Sequence, residues 1–388
     1  MNKNLIIMVY SPFTQRDYKR YGIDIIKNNG YNAIIIDISP IIAKNVFYNN
    51  NFPDLLCIEN YIPIFSKKDL EKFFFNHKHN TIIFSTLTFQ IKTFFIYKLI
   101  TKYNIPYCTT GLTSIPTPVL KINFFRKIKL NLFSLNRVLN KLFLKIPFKY
   151  LRINSATFID IICDKANYHR PEHSKDTIII RSHSSDYDLY KESISSSEQV
   201  VNTNKIVFLD NFLPYHPDSL HTGEKNPVSP KSYHFALNSF FSKIEEITNL
   251  EIVIAAHPKS NYSENFNPFN NRTIIRNQTP QLVRDSKFVI LNFSTSINFA
   301  ILFKKPLLFF TTNELEINPY YSKQIRLFVD YFDCNLFNID NSTDFKIQKP
   351  EFNKYNNYIH EYIKSSNSPE LHTWQIKCDV FNKYMLNN

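Results

Sequence analysis

Glycine is nearly absent from this chain of 388 residues, which contains only Gly22, Gly30, Gly111 and Gly223. Neither a G-x-G-x-x-G nucleotide loop nor a G-x-x-x-x-G-K-[ST] P-loop can be written with glycines at these positions. Any phosphate bound here must therefore be held by side chains and helix N-termini rather than by a glycine-rich loop.

Cysteine is also sparse, and its spacing excludes two kinds of site. The five cysteines are scattered and form no C-x-x-C pair: Cys57, Cys108, Cys163, Cys334 and Cys378. This pattern predicts no disulfide framework and no thiolate zinc site, and it favours a reducing compartment.

Long uncharged apolar runs are missing as well. No such run reaches the ~18 residues that a membrane-spanning helix needs. The N-terminal run, Met1-Asn-Lys-Asn-Leu-Ile-Ile-Met-Val-Tyr10, is too short for a signal peptide and has the pattern of a first β-strand. We therefore expect a cytoplasmic protein. Peripheral binding to the inner membrane through the protein surface remains open.

Acidic residues are absent from one long segment. Between Lys72 and Ile159 the chain has 14 Lys and Arg residues and no Asp or Glu, while the net charge of the whole chain is +13. One segment thus carries the basic character and indicates a local anionic partner. It contains no recognised nucleic-acid-binding motif, so we do not expect nucleic acid to be that partner.

Apolar, β-branched runs alternate with helix-like stretches in both halves of the chain. This alternation indicates parallel sheets covered on both faces by helices, an α/β fold. The predicted strands are 5–10, 33–38, 81–85, 157–163 and 177–181 in the first half, and 205–210, 251–256, 273–276, 288–291 and 306–310 in the second. The main predicted helices are 18–29, with Gly30 as its C-cap, 233–248 and 294–303.

A polar stretch over 182–204 has no apolar period and is interpreted as a linker. We accordingly predict an N-terminal α/β domain over 1–190, a second α/β domain over 200–348 and C-terminal helices over 349–388. Two Rossmann-like domains facing each other across a cleft are favoured over one large doubly wound domain.

The run Ile252-Val-Ile-Ala-Ala-His-Pro-Lys-Ser260 ends a predicted strand with polar residues. Pro258 cannot continue a strand, so it sets the direction in which His257 is presented, with Lys259 close by. A phosphate diester needs hydrogen-bond donors and positive charge, and this pair supplies both. The alternative is a histidine that caps a strand end beside an ordinary surface lysine.

A second strand-like run, Phe288-Val-Ile-Leu291, is followed by Ser294, Thr295 and Ser296. One hydroxyl is enough to cap the helix that follows, and capping is the simpler interpretation. Three hydroxyls exceed that need and, with the free N–H groups of a helix start, suit an anion. In a parallel sheet both clusters would lie at the carboxyl edge, where ligands bind.

These motifs, followed by Lys305-Pro306-Leu-Leu-Phe-Phe310, resemble those of bacterial GT-B sialyltransferases and polysialyltransferases. Those families bind the CMP part of a CMP-sugar through an HP motif and a Ser/Thr-rich motif. The chain resembles even more the capsule and O-antigen transferases of nonulosonic acids such as pseudaminic acid. The segments Ile206-Val-Phe-Leu-Asp210, Pro214-Tyr-His-Pro-Asp218 and Arg16-Asp17-Tyr18 contribute to that likeness.

The resemblance implies a GT-B-like fold and a glycosyltransferase. Its second domain would bind a CMP-linked nonulosonic acid or Kdo, and its first domain would face a glycan or lipid-linked glycan acceptor of the capsule or lipopolysaccharide. His257, Pro258, Lys259 and the Ser294–Ser296 cluster would hold the donor, with His216 and Glu314 beside it. No metal or other cofactor would be needed, because one phosphate leaves and a His/Lys pair can neutralise it.

The catalytic base is less well marked, because the two acids followed by glycine that sialyltransferases carry are absent. Transfer to a hydroxyl usually needs a carboxylate or histidine to accept its proton. Asp17, after the first strand, and Asp210, at the end of the first strand of the second domain, are the candidates. A helix cap or an ion pair is the structural alternative for each.

Apolar residues over 121–152 recur at spacings of three and four, which predicts a basic amphipathic helix: Phe125, Ile128, Leu132, Leu135, Leu139, Leu142 and Ile146. Arg137, Lys141 and Lys145 form a row beside this stripe. Such a helix can lie on an anionic membrane surface, or it can pack its stripe on the domain core with the lysines in water. The sequence leaves both interpretations open.

Two other functions also remain open. The same fold could transfer from UDP- or GDP-hexoses or from CDP-glycerol. It could also serve as a non-catalytic partner in polysaccharide assembly.

Overall fold

The computed structural model describes residues 3–48, 60–111, 115–118, 135–166, 171–195, 204–216, 226–341 and 345–387. The chain forms two compact units. Unit 1 comprises Met1–Thr113, Lys121–His183 and Ser365–Asn388. Unit 2 comprises Ser114–Leu120 and Ser184–Lys364.

Unit 1 is built on a sheet of seven parallel strands in the order β3-β2-β1-β4-β5-β6-β7. The strands are β1 Lys3–Val9, β2 Tyr31–Asp37, β3 Tyr61–Pro63, β4 Thr81–Ser85, β5 Tyr107–Gly111, β6 Phe158–Ile161 and β7 Ile178–Arg181. The inner strands are buried over most of their length because helices cover both faces of the sheet.

The helices of unit 1 lie between these strands and after the last of them. They are α1 Gln15–Arg20, α2 Ile23–Asn28, α3 Ser39–Ile42, α4 Lys44–Tyr48, α5 Lys67–Asn76, α6 Phe94–Lys102, α7 Leu135–Phe143, α8 Phe148–Leu151 and, at the C-terminus, α16 Thr373–Asn387.

Unit 2 contains a sheet of six parallel strands in the order β10-β9-β8-β11-β12-β13. The strands are β8 Lys205–Leu209, β9 Glu251–Ala255, β10 Ile274–Ile275, β11 Val289–Leu291, β12 Leu307–Thr311 and β13 Leu336–Asn338. The helices are α9 Ser185–Ser195, α10 Pro230–Thr248, α11 Thr279–Asp285, α12 Ile297–Leu302, α13 Asn313–Ile317, α14 Pro319–Phe332 and α15 Phe352–Tyr358.

Both sheets have the strand order of a Rossmann fold. The first three strands are added toward one edge of the sheet, and from the fourth strand on they are added toward the other edge. The reversal falls between β1 and β4 in unit 1 and between β8 and β11 in unit 2. In parallel sheets, ligands bind outside the carboxyl ends of the strands at this reversal. The prediction of an α/β fold with two Rossmann-like units is confirmed.

The stretch interpreted as a linker is in part a helix. Residues Ser185–Ser195 form α9, because Tyr187, Leu189 and Tyr190 pack on the core of unit 2. The irregular spacing of these side chains hid the helix in the sequence. The main part of unit 2 therefore begins at Ser184, and the C-terminal residues divide between the units, with Ser365–Asn388 in unit 1.

The helix predicted over 18–29 is broken at Gly22, which has a φ of +51°. A Cβ atom at this position would lie 2.8 Å from Cδ1 of Trp374, which packs on the glycine. Positive φ and the close indole both require glycine here. The C-cap of α2 is Asn29 rather than Gly30, and Gly30 follows it with a left-handed φ of +81°.

Part of the basic segment lies outside the described residues, including Phe125, Ile128 and Leu132. Its described part forms α7 and α8 rather than one continuous helix, because the chain turns at Pro147. Over the described ranges, no helix has the length and apolar character needed to cross a membrane.

A buried ion pair attaches the C-terminal helix to the sheet of unit 1. Nζ of Lys377 in α16 lies 3.1 Å from Oδ2 of Asp160 in β6, and the two side chains are 4% and 2% exposed. Lys377 also donates to Oγ1 of Thr373 at 2.7 Å, and the Ser182 hydroxyl donates to Asp160. Because both charges are removed from water, each depends on the other.

We expect Lys377→Met to destabilise unit 1 by about 3–5 kcal/mol, because it leaves the Asp160 carboxylate buried without its cation. Urea unfolding monitored by Trp374 fluorescence would measure the loss. The control is Lys383→Met on the exposed face of the same helix, which should change stability by less than about 0.5 kcal/mol. Equal effects of the two substitutions would contradict the role of the pair.

Candidate functional site

Asp210 follows the central strand β8 of unit 2 and is 5% exposed. Its Oδ1 accepts a hydrogen bond from the Phe212 amide at 2.9 Å, and its Oδ2 accepts one from the Tyr262 hydroxyl at 3.0 Å. The amides of Asn211 and His257 also donate to this carboxylate. Asp210 therefore connects the end of β8 to the end of β9.

Burial raises the pKa of Asp210 from its ordinary value of 3.8 to about 6, although the four hydrogen bonds partly oppose that shift. Burial also raises the pKa of Tyr262, and the neighbouring Asp210 carboxylate raises it further. A carboxylate held in this way orients its neighbours and has little access to a second substrate. The geometry thus favours positioning as the role of Asp210.

His257 leaves β9 in a tight turn. Its Nδ1 accepts a hydrogen bond from the Lys259 amide at 3.2 Å, and its carbonyl accepts one from the Ser260 amide at 2.9 Å. Because Nδ1 is the acceptor, the neutral ring carries its hydrogen on Nε2. His257 can therefore donate a hydrogen bond without becoming a cation, and half-buried Lys259 supplies positive charge beside it.

His216 lies against His257. The ring centroids are 4.9 Å apart and the rings meet edge to face. His216 follows a 3₁₀ turn, Leu213–Tyr215, whose N-cap Phe212 has a left-handed φ of +54°. That turn directs the chain leaving β8 back toward the end of β9.

The reversal between β8 and β11 is bridged by asparagine side chains. Nδ2 of Asn211 donates to Oδ1 of Asn292 at 2.9 Å and also to the carbonyl of Phe293. Nδ2 of Asn292, which is 1% exposed, faces the Tyr233 hydroxyl at 3.4 Å. These contacts hold the two strand ends together at the place where a Rossmann-ordered sheet binds its ligand.

Ser294, Thr295 and Ser296 form the turn between β11 and α12. Oγ of Ser294 accepts from the Ser296 amide at 3.2 Å, and Ser296 is the N-cap of α12 without a side-chain capping bond. Within the residues that the structure describes, none of the three hydroxyls donates to the protein. Since α12 has only 6 residues, the hydroxyls rather than the helix dipole are the useful groups.

Two predicted site residues have structural partners. Asp17, in unit 1, completes a capping box at the start of α1, where its Oδ2 accepts from the Thr14 amide at 3.0 Å and the Thr14 hydroxyl at 2.7 Å. Glu314 accepts from the amide and hydroxyl of Ser229 at 2.9 and 2.8 Å, and so lies at the N-terminus of α10. A carboxylate is favourable at either helix start.

Sequence reasoning missed four residues around this site: Asn211, Asn292, Tyr262 and His234. Asn292 directly follows β11 and Asn211 is the second residue after β8, so their position was a usable signal. Nothing in the sequence marks Tyr262 or His234, because only tertiary packing brings them to the strand ends.

His234, in the first turns of α10, is 7% exposed, and neither ring nitrogen has a hydrogen-bond partner among the residues that the structure describes. Its ring lies between the side chains of Tyr215, Tyr233 and Phe269, at centroid distances of 5.9, 5.5 and 5.3 Å. Burial among these rings lowers its pKa to about 4, so the imidazole is neutral at pH 7.

The described groups at this edge of the sheet are one ammonium, two imidazoles and three hydroxyls. They are donors, and they suit a phosphate or another anion. In the described part of the chain, no group of three or more His, Cys, Asp or Glu side chains is placed to hold a metal ion.

No family model matches the sequence, and no curated protein matches it either. Among solved structures, a CDPG-soaked wall teichoic acid polymerase TagF matches with a TM-score of 0.50 and 11% identity, over 100% of this chain and 90% of that one. UDP-GlcNAc 2-epimerase from Methanocaldococcus jannaschii matches with a TM-score of 0.45 and 13% identity, over 99% and 100%. At these identities the TagF match supports the GT-B-like fold class and nothing finer.

We expect Asp210→Asn to remove a pH dependence of unit 2. The folded-state pKa of about 6 lies above the ordinary value of 3.8, so the folded protein holds the proton more tightly and loses stability as pH rises through that interval. Wild type should lose up to about 3 kcal/mol relative to the variant between these values. Urea unfolding across that pH range measures the difference.

The exposed Asp330 in α14 is the matched control for this experiment. The Asp330→Asn variant should follow wild type at every pH. A constant difference between wild type and Asp210→Asn would show that the Asp210 pKa is not raised.

We expect His234→Phe to stabilise unit 2 by about 1–2 kcal/mol at pH 7, because it removes two unsatisfied ring nitrogens and keeps an aromatic ring among aromatic neighbours. Tyr233→Phe is the neighbouring control and should destabilise, since it removes the hydroxyl that faces Asn292. Thermal unfolding compares the two variants. A stability loss in His234→Phe would contradict the unsatisfied state of the imidazole.

Proposed function

We propose that this protein is a glycosyltransferase that takes a nonulosonic acid or Kdo from a CMP-sugar and transfers it to a capsule or lipopolysaccharide glycan. One observation supports it most. His257-Pro258-Lys259 and Ser294-Thr295-Ser296 follow β9 and β11, the two neighbours of β8, at the reversal of a Rossmann-ordered sheet. The choice of a CMP-linked donor is supported by the resemblance of these motifs to those of bacterial sialyltransferases.

Each group would have a defined task toward the donor phosphate. The Lys259 ammonium would oppose the negative charge, and Nε2–H of His257 would donate to a phosphate oxygen. The Ser294–Ser296 hydroxyls would donate from the β11 side. Such groups accelerate transfer when they bind the leaving phosphate more strongly as its charge develops.

The transfer would proceed by attack of an acceptor hydroxyl on the anomeric carbon. The bond between that carbon and the phosphate oxygen breaks, and its electron pair leaves with CMP. The hydroxyl proton is released to water. Because Asp210 is buried and Asp17 caps a helix, we propose structural tasks for both: Asp210 holds His257 through its amide, and Asp17 holds the start of α1.

Nucleotide titration tests the donor. We expect CMP to raise the melting temperature of the full chain more than UDP or GDP, because one phosphate matches the described donors. CMP at about 100 times its Kd should add ~2.7 kcal/mol. In a unit of this size that corresponds to roughly 5–10 °C. The His257→Ala variant should lose most of this shift.

The exposed His360 of the same unit supplies the control, and His360→Ala should respond to CMP like wild type. Stabilisation by UDP or GDP but not CMP would indicate a hexose donor, and stabilisation by CDP-glycerol alone would indicate a glycerophosphate transferase. Unchanged CMP release and polymer composition in His257→Ala would indicate a non-catalytic assembly protein.

A further inference from the structure

Unit 1 exposes a set of apolar side chains on α7, α8 and the turn that joins them. Leu139, Leu142, Ile146 and Tyr150 are 45%, 58%, 39% and 70% exposed and follow one another at spacings of three, four and four residues. We refer to these four side chains as the apolar patch. The spacing of three residues places Leu139 and Leu142 on the same side of α7. Ile146 lies in the turn after α7, and Tyr150 lies in α8.

Other side chains of the same segment are anchored in the core. Phe143 stacks on Phe89 with ring centroids 5.3 Å apart, and Phe148 lies 4.5 Å from the same ring. Leu144 also packs against this core, and Asn140 accepts a hydrogen bond from the Ile91 amide at 2.9 Å. The segment is therefore held in place without the apolar patch, which leaves the patch available to a partner.

Cations flank the patch at regular intervals. Lys141, Lys145 and Lys149 are four residues apart, Arg152 follows, and all four are exposed. Nζ of Lys149 lies 5.0 Å from the ring centroid of Tyr150. Among the described residues, none of the four contacts a carboxylate, and the surrounding sequence from Lys72 to Ile159 contains no acid at all.

We infer that the apolar patch and its cations bind the surface of an anionic lipid bilayer. Leucine and isoleucine side chains enter the boundary between headgroups and acyl chains, and Tyr150 lies at headgroup depth. The lysines lie over the lipid phosphates, where each cation contributes about 1 kcal/mol. A neutral protein surface would account for the apolar residues but not for an uninterrupted row of cations around them.

Vesicle flotation with the full chain tests this inference and requires neither donor nor acceptor, so its outcome is independent of the proposed transfer reaction. Wild type should float with vesicles of phosphatidylcholine mixed with phosphatidylglycerol and not with phosphatidylcholine alone. Added salt should weaken the binding, because it screens exposed charges. Equal binding to both vesicles, or to neither, overturns the inference.

Two variants test separately the role of the lysine cations and the insertion of the apolar patch into the bilayer. Replacing Lys141, Lys145 and Lys149 together by Gln should weaken binding to the mixed vesicles about a hundredfold. Leu142→Glu should weaken it at least about tenfold, because a carboxylate cannot enter the bilayer boundary. Lys383→Gln and Leu386→Glu, exposed on α16 of the same unit, are matched controls and should bind like wild type.

Folding is checked separately, by requiring that each variant keep the melting temperature of wild type. A folded Leu142→Glu variant with full binding overturns the insertion of the patch. A folded lysine variant with full binding overturns the role of the cations. If wild type bound an acidic protein but did not bind the mixed vesicles, the partner of the apolar patch would be a protein and not a bilayer.

Discussion

Parallel pairing of β8 with β9 and β11 is the constraint on which the candidate site depends. Strands that run in one direction deliver all their carboxyl ends to one edge, so residues far apart in the chain become neighbours there. His257 and Ser294 lie in segments separated by a whole crossover, yet both follow strands adjacent to β8. Without parallel pairing, the same motifs would lie on opposite edges of the sheet.

Asp210 stabilises the carboxyl edge of the unit 2 sheet, but its burial costs desolvation free energy. The carboxylate satisfies amides that follow both β8 and β9, and those amides would otherwise be unpaired where the ladder ends. In return, a charged group is removed from water, which raises its pKa. The unsatisfied imidazole of His234 adds a second cost nearby. Functional sites commonly contain destabilising groups of this kind, because the orientation of polar groups matters more there than stability.

Much of the fold was predictable because buried parallel strands have continuous apolar runs. The strands from β8 to β12 were placed to within a few residues, and the helix end before Gly30 was placed correctly. The strands β3, β5 and β13 were missed, because their sequences YIP, YCTTG and LFN contain no continuous run of β-branched apolar residues. The helix α9 was missed because its apolar side chains follow no clear period.

The sequence by itself determined the α/β class, the absence of a glycine-rich phosphate loop and the two strand-end motifs, because these depend on residue type and local spacing. Tertiary structure alone decided that His216 contacts His257, that Asp17 caps a helix and that Asp210 is buried. It also decided which face of the basic segment packs on the core. Contacts of this kind depend on where the strands and turns place distant side chains, which spacing along the chain does not encode.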